Sequence, residues 1–174
     1  MLNAPDIKHA IFLSCGSVTP NPLWHVPPSR HTHHELIMVI GGGITVKSPT
    51  GQLFATEGDV LLYPAAVVHE EWSDPNHPLR SIFLSFSCPG LNDMPVTRIT
   101  PRRDWIREMA AWLHGDRDAS SPAARAQRDA LLQVILSECL RNTGPEDQPM
   151  VTRVRQHIRS HIAEPLSLER LAGV

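Results

Sequence analysis

Three cysteines among 174 residues are too few and too scattered to organise this chain. Cys15, Cys88 and Cys139 are odd in number and form no Cys-x-x-Cys pair, which excludes a disulfide framework and a zinc knuckle and fits a reducing cytoplasm. Charge of one sign is also missing. A formal net charge of −2 gives no global attraction to nucleic acid, so any DNA contact has to be local. No stretch approaches the ~20 apolar residues of a membrane-spanning helix. Met1 to Lys8 carries charges where a secretory signal needs its apolar run. The expectation is a soluble cytoplasmic protein with no membrane partner, one domain plus a modest appendage at this length.

What is present is concentrated in Arg30-His31-Thr32-His33-His34-Glu35-Leu36-Ile37-Met38-Val39-Ile40-Gly41-Gly42-Gly43. In an extended strand alternate side chains share a face, so His31, His33, Glu35, Ile37 and Val39 point one way and His34, Leu36, Met38 and Ile40 the other. Apolar residues on both faces from 36 onward predict a strand covered on both sides, as in a closed barrel or sandwich. Gly58-Asp59 then predicts a tight turn, Val60 to Tyr63 an apolar strand, and Pro64 a break before His69, the natural third partner of the two histidines.

The rest of the first half reads as short strands. His9 to Cys15 is a first strand, after which Pro20, Pro22, Pro27 and Pro28 forbid a long regular element. Residues 44–47 and 52–55 flank Ser48-Pro49-Thr50-Gly51 as a hairpin, and Val67 to Trp72 and Leu79 to Phe86 follow. This spacing argues for an antiparallel barrel or sandwich. After Cys88-Pro89-Gly90 the period changes: Trp105, Ile106, Met109, Trp112 and Leu113 form a helical stripe within 102–114. Ser121-Pro122 caps and starts a second helix running to Leu140, with apolar positions at 124, 131, 132, 135, 136, 139 and 140. Part of that stripe can cover the barrel and part can face another subunit.

Residues 30 to 69 resemble the two motifs of the cupins, a His-x-His strand ending in glycine and a Gly-Asp strand followed by Pro-x-x-x-x-His. Two positions depart from the enzyme pattern. Glu35 comes earlier than the usual ligand glutamate, and Ala66 stands where the second motif usually has glycine. The tight His-His-Glu-Leu form is similar instead to the sensor domains of AraC-type transcription regulators. Residues 158 to 172, with Ile158, Ile162 and Pro165-Leu166-Ser167-Leu168, resemble the opening of the AraC-type helix-turn-helix domain. That resemblance implies a mainly β fold with C-terminal α, a cupin-like jelly-roll barrel over 1–90, a helical dimerisation segment over 91–142, a linker over 143–150 and a partial helix-turn-helix over 151–174. It also implies a homodimer through 121–141 and a small-molecule effector. The sequence ends at Val174, before a recognition helix, so specific DNA binding is expected only of a protein with a complete C-terminal domain.

Two chemistries fit the convergent residues. As a metal site, His31, His33 and His69 would supply imidazole nitrogens with Glu35 as fourth ligand, a set that suits Zn²⁺ first and Fe²⁺, Ni²⁺ or Mn²⁺ as alternatives. As an organic-effector site, the same groups would form hydrogen bonds, with Arg80 clamping a carboxylate or phosphate and Trp24 closing over the barrel mouth. His34 and His77 read as residues satisfied by backbone. The alternative class is a small metal-dependent cupin enzyme, an oxygenase or isomerase, but no spacing singles out an acid–base pair; Tyr63 and Glu71 are merely available. A linker leading to a helix-turn-helix start favours the regulator, without catalysis.

Overall fold

The computed structural model describes residues 6–101 and 105–141. Strands β1 (Ile11–Val18), β8 (Arg80–Ser87), β3 (His34–Gly41), β6 (Val60–Tyr63) and β9 (Thr97–Ile99) form one sheet in that order. Strands β2 (His25–Ser29), β7 (His69–Ser73), β4 (Gly43–Ser48) and β5 (Gly51–Thr56) form the other. Helices α1 (Trp105–Gly115) and α2 (Pro122–Arg141) follow. The paired strands are antiparallel, and the mainly β jelly roll with C-terminal helices is the architecture expected.

The two faces of β3 explain the layering. Ile37 and Val39 join Leu61 and Tyr63 of β6 and Ile44, Val46 and Ala55 of the second sheet in an interior cluster. Leu36 and Met38 turn the opposite way and pack with Ile106, Leu113, Leu132, Ile135 and Leu136 of the helices. A chain buried on both faces needs apolar residues at consecutive positions, hence the unbroken run from 36 to 40. Each such side chain, Leu132 for example at 0% exposure, contributes about 1.5–3 kcal/mol.

The chain crosses between sheets at Gly42, where φ is +70° and an added Cβ would lie 2.2 Å from the Pro78 carbonyl oxygen. Only glycine fits that approach. The Gly58-Asp59 turn is held by the Asp59 carboxylate, which accepts from Thr56 N at 3.0 Å and from the Thr100 hydroxyl at 2.7 Å.

Several elements differ from the sequence reading. β2 contains Pro27 and Pro28; it is an edge strand, and its pairing with β7 slips between Val26 and Ser29, so the missing amide donors break no central ladder. β9, inside the stretch read as helical dimerisation segment, pairs with β6 and carries the barrel sheet past residue 90. The central strand starts at His34, with His31 to His33 in the loop that crosses from β2 to β3. The predicted α2 stripe is spent on its own barrel: Leu132, Ile135, Leu136 and Cys139 are buried, and Leu131 and Leu140 pack against the same cluster. The Ser121 hydroxyl caps the helix as expected, accepting from Ala124 N at 3.1 Å. The linker over 143–150 and the helix-turn-helix segment over 151–174 lie outside the described residues. No described helix is long and apolar enough to cross a membrane.

Candidate functional site

Three segments place polar groups at one end of the barrel: the 31–33 loop with the start of β3, the end of β6, and the start of β7. Glu35 is directly opposite Tyr63 on β6 and Ser85 on β8. His69 opens β7, and Glu71 is two residues on, therefore on the same face. Ala66 N donates to the His31 carbonyl at 2.8 Å, tying the loop before β7 to the loop before β3. Ala66 sits at φ +63°, the left-handed region where glycine is favoured, so the alanine at the motif's usual glycine position is strained.

The cluster contains all four residues expected as metal ligands. His31 and His33 stack with ring centroids 4.3 Å apart, and the His69 ring meets His31 edge-on at 5.0 Å. His31 Nε2 lies 3.7 Å from the Glu35 carboxylate. His69 Nε2 lies 3.7 Å from that of Glu71, and Tyr63 stacks on His69 at 4.6 Å. Glu71 and Tyr63 are therefore site residues that the sequence reading did not select.

Hydrogen bonding fixes the tautomers. His31 Nδ1 donates to the His33 carbonyl at 2.6 Å, and His69 Nδ1 donates to that of Val67 at 3.0 Å. A carbonyl only accepts, so each Nδ1 carries a proton, and it is Nε2 of each ring that faces the carboxylates. His31 Nε2 is buried and faces the Glu35 carboxylate at 3.7 Å, and the buried Tyr63 hydroxyl lies beside the Glu71 carboxyl group. His34 has the opposite role: its Nδ1 accepts from Ala65 N at 3.0 Å and its ring lies beside Phe86 on the outer face, a backbone-satisfied histidine as read from the sequence.

Burial governs the electrostatics. It raises Glu35 to about 7, against the opposing pull of the Ser85 hydroxyl. It raises Glu71 to about 7 as well, with the Glu35 charge adding to the effect and the nearby Tyr63 hydroxyl opposing it. Burial lowers His69 and His33, and the charge of His31 lowers both further. Burial thus favours the uncharged forms of His33 and His69 and of the Glu35 and Glu71 carboxyl groups. The site can donate and accept hydrogen bonds at adjacent atoms, which suits a polar organic ligand.

Arg80 and Trp24 are not part of this cluster. Arg80 is exposed, pairs with Gly41 and donates to the Ile40 carbonyl at 3.3 Å. That is the far end of β3, roughly 20 Å from Glu35 at the rise of an extended strand. The Trp24 carbonyl accepts from Ser73 N, at the opposite end of β7 from His69, and its side chain packs against the interior cluster as a plug. Neither could be placed from the sequence, because alternation assigns a face but not an end of the barrel. The metal reading meets a geometric obstacle in the flat stacking of His33 on His31. Among the described residues no group of three His, Cys, Asp or Glu side chains is arranged to hold an ion.

A family model described as the AraC-like ligand binding domain matches residues 13–136. Among solved structures, the AraC-like transcriptional activator CuxR superposes with a TM-score of 0.53 at 9% identity, over 93% of this chain and 63% of its own. The apo form of a ToxT variant from Vibrio cholerae gives 0.54 at 6% identity, over 91% of this chain and 68% of its own. The protein YhaK from Escherichia coli gives 0.46 at 16% identity, over 53% of this chain and 44% of its own. The chain thus spans less than two thirds of CuxR and less than half of YhaK. At these identities the likeness to CuxR and ToxT is one of fold. No curated protein matches the sequence.

Proposed function

The chain belongs to the family of AraC-like ligand-binding domains, and from that membership we propose that it is the effector-sensing part of a transcription regulator, with the effector held at the polar end of the barrel. The observation that carries this reading is the convergence of His31, His69, Tyr63, Glu35 and Glu71 at one end of the barrel interior, with burial raising the two carboxyl groups to about 7. A ligand with hydroxyl, amide or acid groups would exchange hydrogen bonds with these side chains, each worth about 1 kcal/mol net. No chemical step is required, and the domain acts by binding.

Transmission rests on β3. Its interior face carries Glu35 and its outer face carries Leu36 and Met38 against the helices. An effector that binds two positions of this strand unequally shifts the helices, a tenfold population change needing about 1.4 kcal/mol of differential affinity. In a protein with a complete C-terminal domain, the shift alters how paired DNA-binding domains address their half-sites. Exposed Trp112 at 59% on α1 and Val134 at 43% on α2 are the apolar groups the helices leave for a second copy, so a homodimer would use both helices and not the buried α2 stripe.

The test is a thermal-shift screen of polyols, amides and organic acids on wild type and the His69→Ala variant. A compound that stabilises wild type and fails on the variant supports the reading; a screen in which every stabilising compound works equally on both sinks it. A second reading, a divalent metal held by His31, His69 and Glu35 after their side chains rearrange, is favoured by the Nδ1-protonated tautomers, which turn each Nε2 toward a carboxylate. Elemental analysis of the purified protein beside His69→Ala decides it: near-stoichiometric metal lost on substitution establishes the ion, and metal-free folded protein removes it.

A further inference from the structure

A cavity of about 350 Å3 opens between the edge strand β1 and the connection from α1 to α2, away from the histidine cluster. We propose that it binds a small organic monoanion, an apolar body carrying one carboxylate, and so gives the domain a second ligand site.

The charge balance of the lining points to an anion. Arg117, Arg125 and Arg128 face Asp118 and Asp129, which leaves one positive charge in excess. The two carboxylates are already engaged: Asp129 accepts from Phe12 N at 2.8 Å, and Asp118 lies 3.7 Å from Arg117 Nε. Among the described residues neither Arg125 nor Arg128 forms an ion pair. Arg128 is the decisive group. It is 8% exposed, its Nη1 donates to the carbonyls of Asp116 and Arg117 at 2.9 and 3.0 Å, and its Nε is buried with no partner. A buried guanidinium neutralised by no carboxylate is costly, and a ligand carboxylate offsets that cost with charge-assisted bonds. The rest of the wall supplies the apolar body's surroundings: the Phe12 ring, over which the Arg128 guanidinium sits at 5.4 Å, with Ile11 and Leu13. The volume is near the lower bound of ligand cavities, about 300 Å3, and so favours a molecule of one ring or a short chain.

Cys15 lines the same cavity and is its built-in reporter, since Cys88 and Cys139 are buried. The experiment measures the rate of Cys15 alkylation by iodoacetamide at pH 8.5, by peptide mass spectrometry, with benzoate, hexanoate, benzamide or inorganic phosphate present. Benzoate or hexanoate at millimolar concentration is expected to slow alkylation at least fivefold and to raise Tm. Half-saturation should rise tenfold or more in Arg125→Gln, an exposed position whose change leaves the fold intact. His69→Ala should leave this protection unchanged, which separates the cavity from the barrel site. No protection by either acid, equal protection by benzamide or phosphate, or full protection in Arg125→Gln overturns the proposal.

Discussion

Replacing Glu71 by glutamine should make this protein more stable at pH 8, although the side chain is 3% exposed and lies beside a histidine. The reasoning turns on the direction of the shift. Burial raises the folded-state value to about 7, while the unfolded chain titrates near the ordinary carboxylate value. Between these two values the folded state holds a proton that the unfolded state has released. Stability therefore falls as pH rises through this window and levels off once the folded carboxyl is ionised. The accumulated loss by pH 8 is about 3 kcal/mol. Glutamine keeps the shape, cannot ionise and escapes that loss.

The assay is urea denaturation of wild type and Glu71→Gln at pH 5, 6, 7 and 8. The variant should be within about 1 kcal/mol of wild type at pH 5 and about 2–3 kcal/mol more stable at pH 8. At the size of this chain that corresponds to roughly 4–12 °C in Tm. Glu35 is coupled to Glu71, so its own titration steepens or softens the wild-type curve without changing the sign of the difference. Burial lowers His69 and His33, and they act in the opposite sense, adding stability above the ordinary histidine value that is lost as pH falls through it. Parallel curves, or a variant weaker at every pH, would show that Glu71 is ionised and well paired in the fold, and would remove the protonated donor from the proposed effector site.

Ala66→Gly should relieve the backbone at φ +63°; with the left-handed penalty set against the extra freedom of unfolded glycine, the gain is about 0.5–1 kcal/mol, read as a higher urea midpoint at unchanged slope. Ser121→Ala removes the acceptor for Ala124 N and should cost about 1 kcal/mol in the same assay. Asp59→Ala leaves the Thr56 amide and the Thr100 hydroxyl without their acceptor in a part-buried turn, with an expected loss of about 1–3 kcal/mol by thermal or urea unfolding.

How much of this was legible in the sequence depends on which interactions are local. Strand positions and faces follow from alternation, so the opposed roles of Ile37 and Leu36 could be read directly, as could the Ser121 cap and the Gly-Asp turn. β2 was hidden because proline argues against a strand unless the strand is known to be an edge, and edge status is a property of the assembled sheet. That Arg80 and Trp24 lie apart from the histidine cluster could not be read for a related reason: which end of a barrel a loop reaches depends on strand order. Glu71 and Tyr63 are different, because the signal existed. Glu71 is two residues beyond His69 in a strand already inferred, so the alternation that put Glu35 beside His31 also puts Glu71 on the histidine's face. Tyr63 ends a strand whose antiparallel pairing to β3 brings it opposite Glu35. The neighbouring Glu70 points the other way and pairs with the exposed His25 at 3.1 Å. Two adjacent identical residues point to opposite faces, so one of them had to enter the barrel, and a buried carboxyl group there requires a proton or a partner.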